Sequence, residues 1–232
     1  MKLAVIPARG GSKRIPRKNI RLFCGKPIMA WSIGAAHDSG CFDRIIVSTD
    51  DEEIASVARA HGAEVPFMRP PELSNGHAGT QAVIAHAIQW VEENLGDTLV
   101  EVCCLYATAP FVRASDLQEG LDALRANKCG FAFPVTTYPY PIQRAVRITE
   151  AGRVAMFNPQ HFETRSQDLE IAYHDAGQFY WGRKEAWLDG RPIFSNESVP
   201  ILLPRERVQD IDTPEDWEIA ELMYNALQAS RL

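Results

Sequence analysis

The chain has 232 residues, 46% of them hydrophobic and 23% charged, with a formal net charge of -6; this fits one soluble α/β domain and excludes a basic nucleic-acid-binding domain. No apolar run approaches the ~20 residues that a membrane span needs, and Met1-Lys2-Leu3 leads into a strand pattern instead of a signal-peptide apolar region, so a cytoplasmic protein with no membrane partner is expected. The five cysteines, at 24, 41, 103, 104 and 129, lack C-x-x-C spacing, which excludes a zinc site or disulfide framework and leaves reduced structural thiols.

Leu3 to Ile6 predicts a first buried strand, which ends in the cationic loop Ile6 to Asn19. In that loop Gly10 and Gly11 are expected to provide positive φ and close backbone approach, Ser12 adds a hydroxyl, and Arg9, Lys13, Arg14, Arg17 and Lys18 supply positive charge. The first 26 residues hold eight cations and no carboxylate precedes Asp38, which leaves 16 Lys and Arg against 30 Asp and Glu elsewhere. One local anion site on an acidic protein is the consequence, and its composition suits a polyphosphate. Neither G-x-x-x-x-G-K-[ST] nor G-x-G-x-x-G occurs, so a P-loop kinase and a dinucleotide dehydrogenase are both disfavoured.

Pro27 to Ser39 has apolar residues at helical spacing with Gly40 as its stop, Ile45 to Ser48 reads as a short buried strand, and Asp51-Glu52-Glu53 opens a helix to about His61. Asp50 and Asp51, at a strand end, either face the ligand or serve that helix start, and the helix-start role is the one expected. Val65 to Phe67 is a short extended piece, Pro70 to Gly76 is loop, and Thr80 is expected to cap a helix to about Leu95. Val100 to Leu105 reads as a central strand with Cys103 and Cys104 as small hydrophobes, Ser115 to Asn127 as a helix, and Gly130 to Val135 as a strand. The alternation predicts right-handed crossovers and a mostly parallel, Rossmann-like sheet whose strand carboxyl ends bind the ligand. From Thr136 the pattern changes: Arg144 to Ile148 and Arg153 to Phe157 predict a hairpin, and residues 136–175 are expected to form an insertion off the main sheet. Gln178 to Trp181 and Val199 to Leu203 then read as strands and Pro214 to Gln228 as the last helix, within a single domain over residues 1–232.

Asp210-Ile211-Asp212 admits two readings. In an extended segment both carboxylates face one side, which suits a hard cation such as Mg²⁺ together with substrate phosphates. Alternatively, Thr213-Pro214-Glu215-Asp216 resembles a helix cap and the acids favour the dipole. His174 and Asp175 are adjacent on a strand and face opposite ways, so they do not form a catalytic dyad. His37, His61, His77, His86 and His161 have no metal spacing and read as solvated or satisfied side chains.

Ile6 to Asn19 resembles the I-P-A-R-x-G-S-K-x-I-x-x-K-N signature of the cytidylyltransferases that activate sialic-acid-like nine-carbon sugars. Met68-Arg69-Pro70-Pro71-Glu72-Leu73 is similar to the R-P-x-x-L loop of that family, Thr164-Arg165-Ser166-Gln167-Asp168-Leu169 to its R-x-Q-D-L pattern, and Asp210-Ile211-Asp212 to its D-x-D. Leu105 to Pro110 matches L-Q-P-T-S-P at Leu105, Thr108 and Pro110, with Tyr106 in place of Gln. Tyr173 to Tyr180, with His-Asp and then Gly-Gln-Phe-Tyr, looks more like the pseudaminic-acid cytidylyltransferases than like the sialate enzymes.

The resemblance implies a nucleotidyltransferase sheet with a small dimerisation insertion and an enzyme that joins a nonulosonic acid to CTP with Mg²⁺. By that resemblance Ala8, Arg9, Gly10, Gly11, Ser12, Lys13, Lys18, Asn19, Arg69 and Thr80 bind the nucleotide, and Arg9, Lys18 and Asp212 act in catalysis. Asp210 and Asp212 hold the metal, and Tyr106, Thr108, Arg165, Gln167 and Gln178 bind the sugar acid. It also implies a homodimer in which residues 136–175 reach the neighbour's site. N-acetylneuraminate, the eight-carbon octulosonate and a non-catalytic nucleotide-binding module remain the alternatives.

Overall fold

Leu3, Ala4, Val5 and Ile6 are fully buried because the strand they form, β1 (Lys2–Pro7), runs through the interior of a seven-stranded sheet in the computed structural model, which describes residues 1–75 and 78–229. Gly76 of the expected 70–76 loop and His77 lie outside the described residues. Alternate residues of β1 feed opposite layers, as a period of two requires. Ala4 and Ile6 bury with α1 (Ile28–Ser39), α2 (Glu52–Ala60) and α4 (Ala114–Asn127), while Leu3 and Val5 bury with α3 (Thr80–Leu95) and α5 (Lys184–Leu188). The short α5 lies between the last two expected strands, in a span to which the sequence reading assigned no element.

The sheet order is β4 (Arg44–Ser48), β1, β5 (Glu101–Leu105), β10 (Phe179–Arg183), β6 (Phe131–Thr137) and β11 (Ser198–Leu202). β1 pairs in parallel with both β4 and β5, and β11 in parallel with β6. β10 is antiparallel to β5 and to β6, so it inserts one reversed strand into a mostly parallel α/β sheet. Close packing makes this insertion possible: a Cβ on Gly182 would meet Phe131 Cδ1 at 2.7 Å, and one on Gly120 would meet Trp181 Cδ1 at 2.7 Å. Gly40, with φ 62°, ends α1 in the left-handed conformation expected of a glycine stop.

The expected hairpin is present as β7 (Val146–Ile148) and β8 (Val154–Met156), a separate two-stranded sheet. Both ends of the 136–175 span stay with the main sheet, because β9 (Tyr173–Asp175) pairs antiparallel with β6, Thr136 opposite His174. A second small ribbon, β2 (Leu22–Phe23) with β3 (Lys26–Pro27), follows the basic loop and leads into α1. A third apolar cluster, with Ile15, Phe23, Ile211 and Trp217, binds the loop and this ribbon to the C-terminal segment and to α6 (Pro214–Ala229). That cluster brings residues from the two ends of the chain to one cleft. All five cysteines are free thiols, and burial pushes Cys103 and Cys104 well above the ordinary thiol range. Among the described residues no helix is long and apolar enough to cross a membrane.

Candidate active site

A cleft of about 340 Å³ opens where the basic loop leaves β1 and where the chain leaves β5. Arg9, Ser12, Lys13, Lys18 and Asn19 line it from the loop, Arg69 and Thr80 from the opposite wall, Tyr106 and Thr108 from beyond β5, and Asp212 from the segment before α6. Asp212 is the one acid among these lining residues, so the cleft is strongly cationic.

The loop is held by hydrogen bonds at both ends. Asn19 is buried and its Nδ2 donates to Arg9 O at 2.9 Å; Gly10 N donates to Asp50 Oδ1 at 2.8 Å; Ala8, fully buried, donates to Ser48 O at 2.9 Å. Neither Gly10 nor Gly11 has positive φ, contrary to expectation. Gly10 is needed for close approach, since a Cβ there would meet Asp51 Oδ2 at 2.8 Å, whereas Gly11 faces open space. The left-handed conformation falls instead on Arg17, at φ 56° and ψ 30°. Asp51 caps α2 as expected, accepting from Ile54 N at 3.0 Å.

Arg69 is buried, and its guanidinium donates to the hydroxyl (3.0 Å) and carbonyl of Ser48, not to a carboxylate. Arg9 Nη1 donates to Asn75 O at 3.2 Å, which joins the basic loop to the loop that follows Arg69. Thr80 does not cap α3: Gly79 is the cap residue, and the Thr80 hydroxyl lies toward the Tyr106 phenol, whose pKa it lowers. Tyr106 in turn meets Tyr180, with ring centroids 5.5 Å apart, and Tyr180 donates to the Asp175 carboxylate. Burial pushes both phenols above the ordinary tyrosine value. His174 Nδ1 lies 2.9 Å from the Asp175 carbonyl oxygen and makes no dyad with its carboxylate, as strand geometry requires.

At the other end of the cleft, Lys18 Nζ donates to Ile211 O at 2.7 Å and lies 3.4 Å from Asp212 Oδ1, while Arg14 Nη2 sits 2.7 Å from Asp212 Oδ2. Ile211 is fully buried. The cap of α6 is a reciprocal pair: Thr213 Oγ1 accepts from Asp216 N at 3.2 Å, and Asp216 Oδ2 accepts from Thr213 N at 2.7 Å and Asp212 N at 3.0 Å. Asp210 and Asp212 are therefore not used as the cap. The Asp210 residue is exposed as a whole, yet protein crowding its carboxyl raises the pKa above the ordinary carboxylate value, and the like charge of Asp212 adds to this. Among the described residues no three His, Cys, Asp or Glu side chains gather as a metal cluster. A pair of carboxylates beside a cationic cleft nevertheless fits a hard cation that takes its other ligands from water and an anionic substrate.

Three expected sugar contacts lie away from this cleft. Arg165 and Gln167 are exposed on the 159–170 segment, and Arg165 Nε pairs with Asp168 Oδ2 at 2.7 Å. Gln178 is buried, donating from Nε2 to Arg207 O at 2.7 Å with its Oε1 unpartnered among the described residues. Sequence reasoning gave no contact for Arg14, Asn75, Asp175 or Tyr180; Arg14 was legible only as one of the loop cations, Asp175 and Tyr180 only as part of the 173–180 segment, and nothing singled out Asn75.

Residues 3–215 match a family model described as Cytidylyltransferase. The chain is 47% identical over 222 residues to a pseudaminic acid cytidylyltransferase of Campylobacter jejuni subsp. jejuni, covering 96% of this chain and 95% of that one. It is 33% identical to a CMP-N,N'-diacetyllegionaminic acid synthase of Legionella pneumophila, covering 97% of each. Among solved structures it is similar to a CMP:2-keto-3-deoxy-manno-octonic acid synthetase complexed with CTP, with a TM-score of 0.70 at 17% identity, covering 100% of this chain and 99% of that one. At that identity the likeness concerns the fold.

Proposed function

The chain belongs to the cytidylyltransferase family, and on that premise we propose that it couples pseudaminic acid to CTP, giving the CMP-sugar and pyrophosphate. The observation that carries this reading is the convergence of Arg9, Lys13, Lys18, Arg69 and Asp212 on one cleft at the carboxyl ends of β1 and β5. Such a cleft binds a nucleoside triphosphate through its phosphates and does its chemistry by positioning and charge stabilisation.

In this reading Arg9, Ser12, Lys13 and the amides of Gly10 and Gly11 grip the triphosphate, with Ala8 and Asn19 holding the loop in place. Arg69 and Thr80 face the cytidine. Lys18, fixed by Ile211 O, directs its charge at the phosphates and steadies the departing pyrophosphate. Asp210 and Asp212 would hold a magnesium ion, which would neutralise phosphate charge. Tyr106 and Thr108 face the sugar acid, whose anomeric hydroxyl attacks the α-phosphate of CTP.

Arg165, Gln167 and the apolar surface beside them enter through a second copy of the chain. Ile148 is 80% exposed and Phe162 69% exposed on the 136–175 span, a surface that a homodimer would cover. The enzyme is further proposed to work in the cytoplasm, where CTP is available.

The test follows pyrophosphate release from CTP and Mg²⁺ with pseudaminate, N-acetylneuraminate and the octulosonate in parallel. Turnover is expected to be greatest with pseudaminate. Equal or faster turnover of N-acetylneuraminate overturns the choice of sugar, and CTP binding without pyrophosphate release from any acid supports a non-catalytic module instead.

A further inference from the structure

We infer that Arg14 competes with the divalent cation for Asp212, holding that carboxylate while the cleft is empty and transferring to the triphosphate when metal and nucleotide bind. The inference rests on the reading of Asp212 as a metal ligand. Its basis is the pairing of Arg14 Nη2 with Asp212 Oδ2 at 2.7 Å, in a cleft where Asp212 is the one acid among the lining residues.

Three cations of the loop differ in how firmly they are held. Arg17 is bound by two acids, Asp51 and Glu53. Lys18 has a mostly buried side chain, 19% exposed, and its short contact is to the backbone carbonyl of Ile211, with Asp212 only at 3.4 Å. It can remain in place whatever binds the carboxylate. Arg14 is 64% exposed and, among the described residues, its one ion pair is with Asp212. Exposed pairs of this kind are weak, so the contact breaks easily.

A divalent ion bound at Asp212 Oδ2 and a guanidinium at hydrogen-bond distance from the same oxygen repel each other. Metal binding therefore has to displace Arg14. Once displaced, Arg14 shares the cleft with Arg9, Lys13 and Lys18 and no other lining acid. Asp216 is near enough to feel its charge, but its Oδ2 is already taken by Asp212 N and Thr213, so a polyphosphate in the cleft is the stronger new partner. The nucleotide thus removes the competitor, and the metal frees a cation for the nucleotide. Because coupling between two ligands is reciprocal, each should tighten the other.

The experiment titrates Mn²⁺, followed by paramagnetic resonance or calorimetry, into nucleotide-free wild type, Arg14→Gln and Asp212→Ala, and titrates CTP with and without Mn²⁺. Arg14→Gln should bind Mn²⁺ roughly two- to fivefold more tightly than wild type without nucleotide, the size expected from loss of one exposed ion pair. It should also bind CTP more weakly in the presence of metal, and the mutual enhancement of Mn²⁺ and CTP should shrink. Mn²⁺ binding to Arg14→Gln that is unchanged, weaker or undetectable overturns the inference. If Asp212→Ala binds Mn²⁺ as wild type does, the metal reading of Asp212 fails and the inference falls with it, which separates the two failures. Thermal melts of each variant, expected to match wild type, exclude misfolding as the cause.

Discussion

Arg17 grips Asp51 with both terminal nitrogens, Nη1 to Oδ2 at 2.5 Å and Nη2 to Oδ1 at 2.9 Å, while Nη2 also reaches Glu53. Because Asp51 is at the same time the cap of α2, this fork joins the far end of the basic loop to a helix terminus. Arg17 holds it from a left-handed backbone at φ 56°. Arg17→Ala should therefore lose about 1 kcal/mol of stability, a value kept low by solvent screening of a partly exposed pair, and should raise KM for CTP. Arg17→Gly should be less destabilised than Arg17→Ala by up to about 1 kcal/mol, since glycine tolerates that backbone. Urea denaturation of both variants decides the order.

The same contact sets a pH response. The hydrogen bond from Arg17 is the largest cause that holds Asp51 at about 2, below the ordinary carboxylate value of 3.8. A carboxylate depressed on folding stabilises the protein above its unfolded pKa and loses that contribution as pH falls through the folded one. Asp51→Asn should thus be less stable than wild type near neutrality by roughly 1 to 2 kcal/mol after allowance for partial exposure. The difference should shrink as pH drops from 3.8 toward about 2. Melts across that range test it; a constant difference contradicts it.

Gly10 and Gly11 should respond oppositely to the same change. A Cβ on Gly10 would sit 2.8 Å from Asp51 Oδ2 and 3.0 Å from its Cβ, whereas nothing lies within 4 Å of one on Gly11. Gly10→Ala should lower kcat/KM for CTP by roughly tenfold, about 1.4 kcal/mol of lost transition-state binding. Gly11→Ala should stay within about twofold of wild type.

The reversed strand β10 predicts a stability effect remote from the cleft. Gly182→Ala places a Cβ 2.7 Å from Phe131 Cδ1 and closer still to Trp187. Overpacking of this kind should cost about 2 kcal/mol and lower the melting temperature by roughly 5 °C, as calorimetry would show.

Tyr180→Phe removes the donor to Asp175 and the partner of Tyr106 without changing the packing of the ring. KM for the sugar acid should rise by roughly tenfold or kcat fall comparably, with KM for CTP within about twofold. A loss confined to CTP would place Tyr106 on the nucleotide side.

What was legible in the sequence was local. Strand and helix periods depend on neighbouring residues, so β1, the glycine stop of α1 and the Asp51 cap were readable from adjacent positions. A cationic loop directly after a buried strand was equally readable, because a short segment holds the charge, the glycines and the hydroxyl. Two local expectations failed where tertiary contacts prevailed: the Thr80 hydroxyl turns to Tyr106 instead of capping its helix, and positive φ falls on Arg17, where Asp51 and Glu53 hold the side chain. The insertion of β10 between β5 and β6 was likewise invisible, since strand order depends on long-range pairing and on glycines that admit Trp181 and Phe131.

The amino-acid sequence by itself determined the chemistry available: a cationic, glycine-containing loop near one end, paired carboxylates near the other, and an α/β alternation to carry them. Only the tertiary structure decided that Arg14 and Lys18 meet Asp212. The physical reason is apolar burial: Ile15 from the loop and Ile211 from between the two acids enter one cluster with Phe23 and Trp217, and the charged side chains beside them are carried to the same cleft.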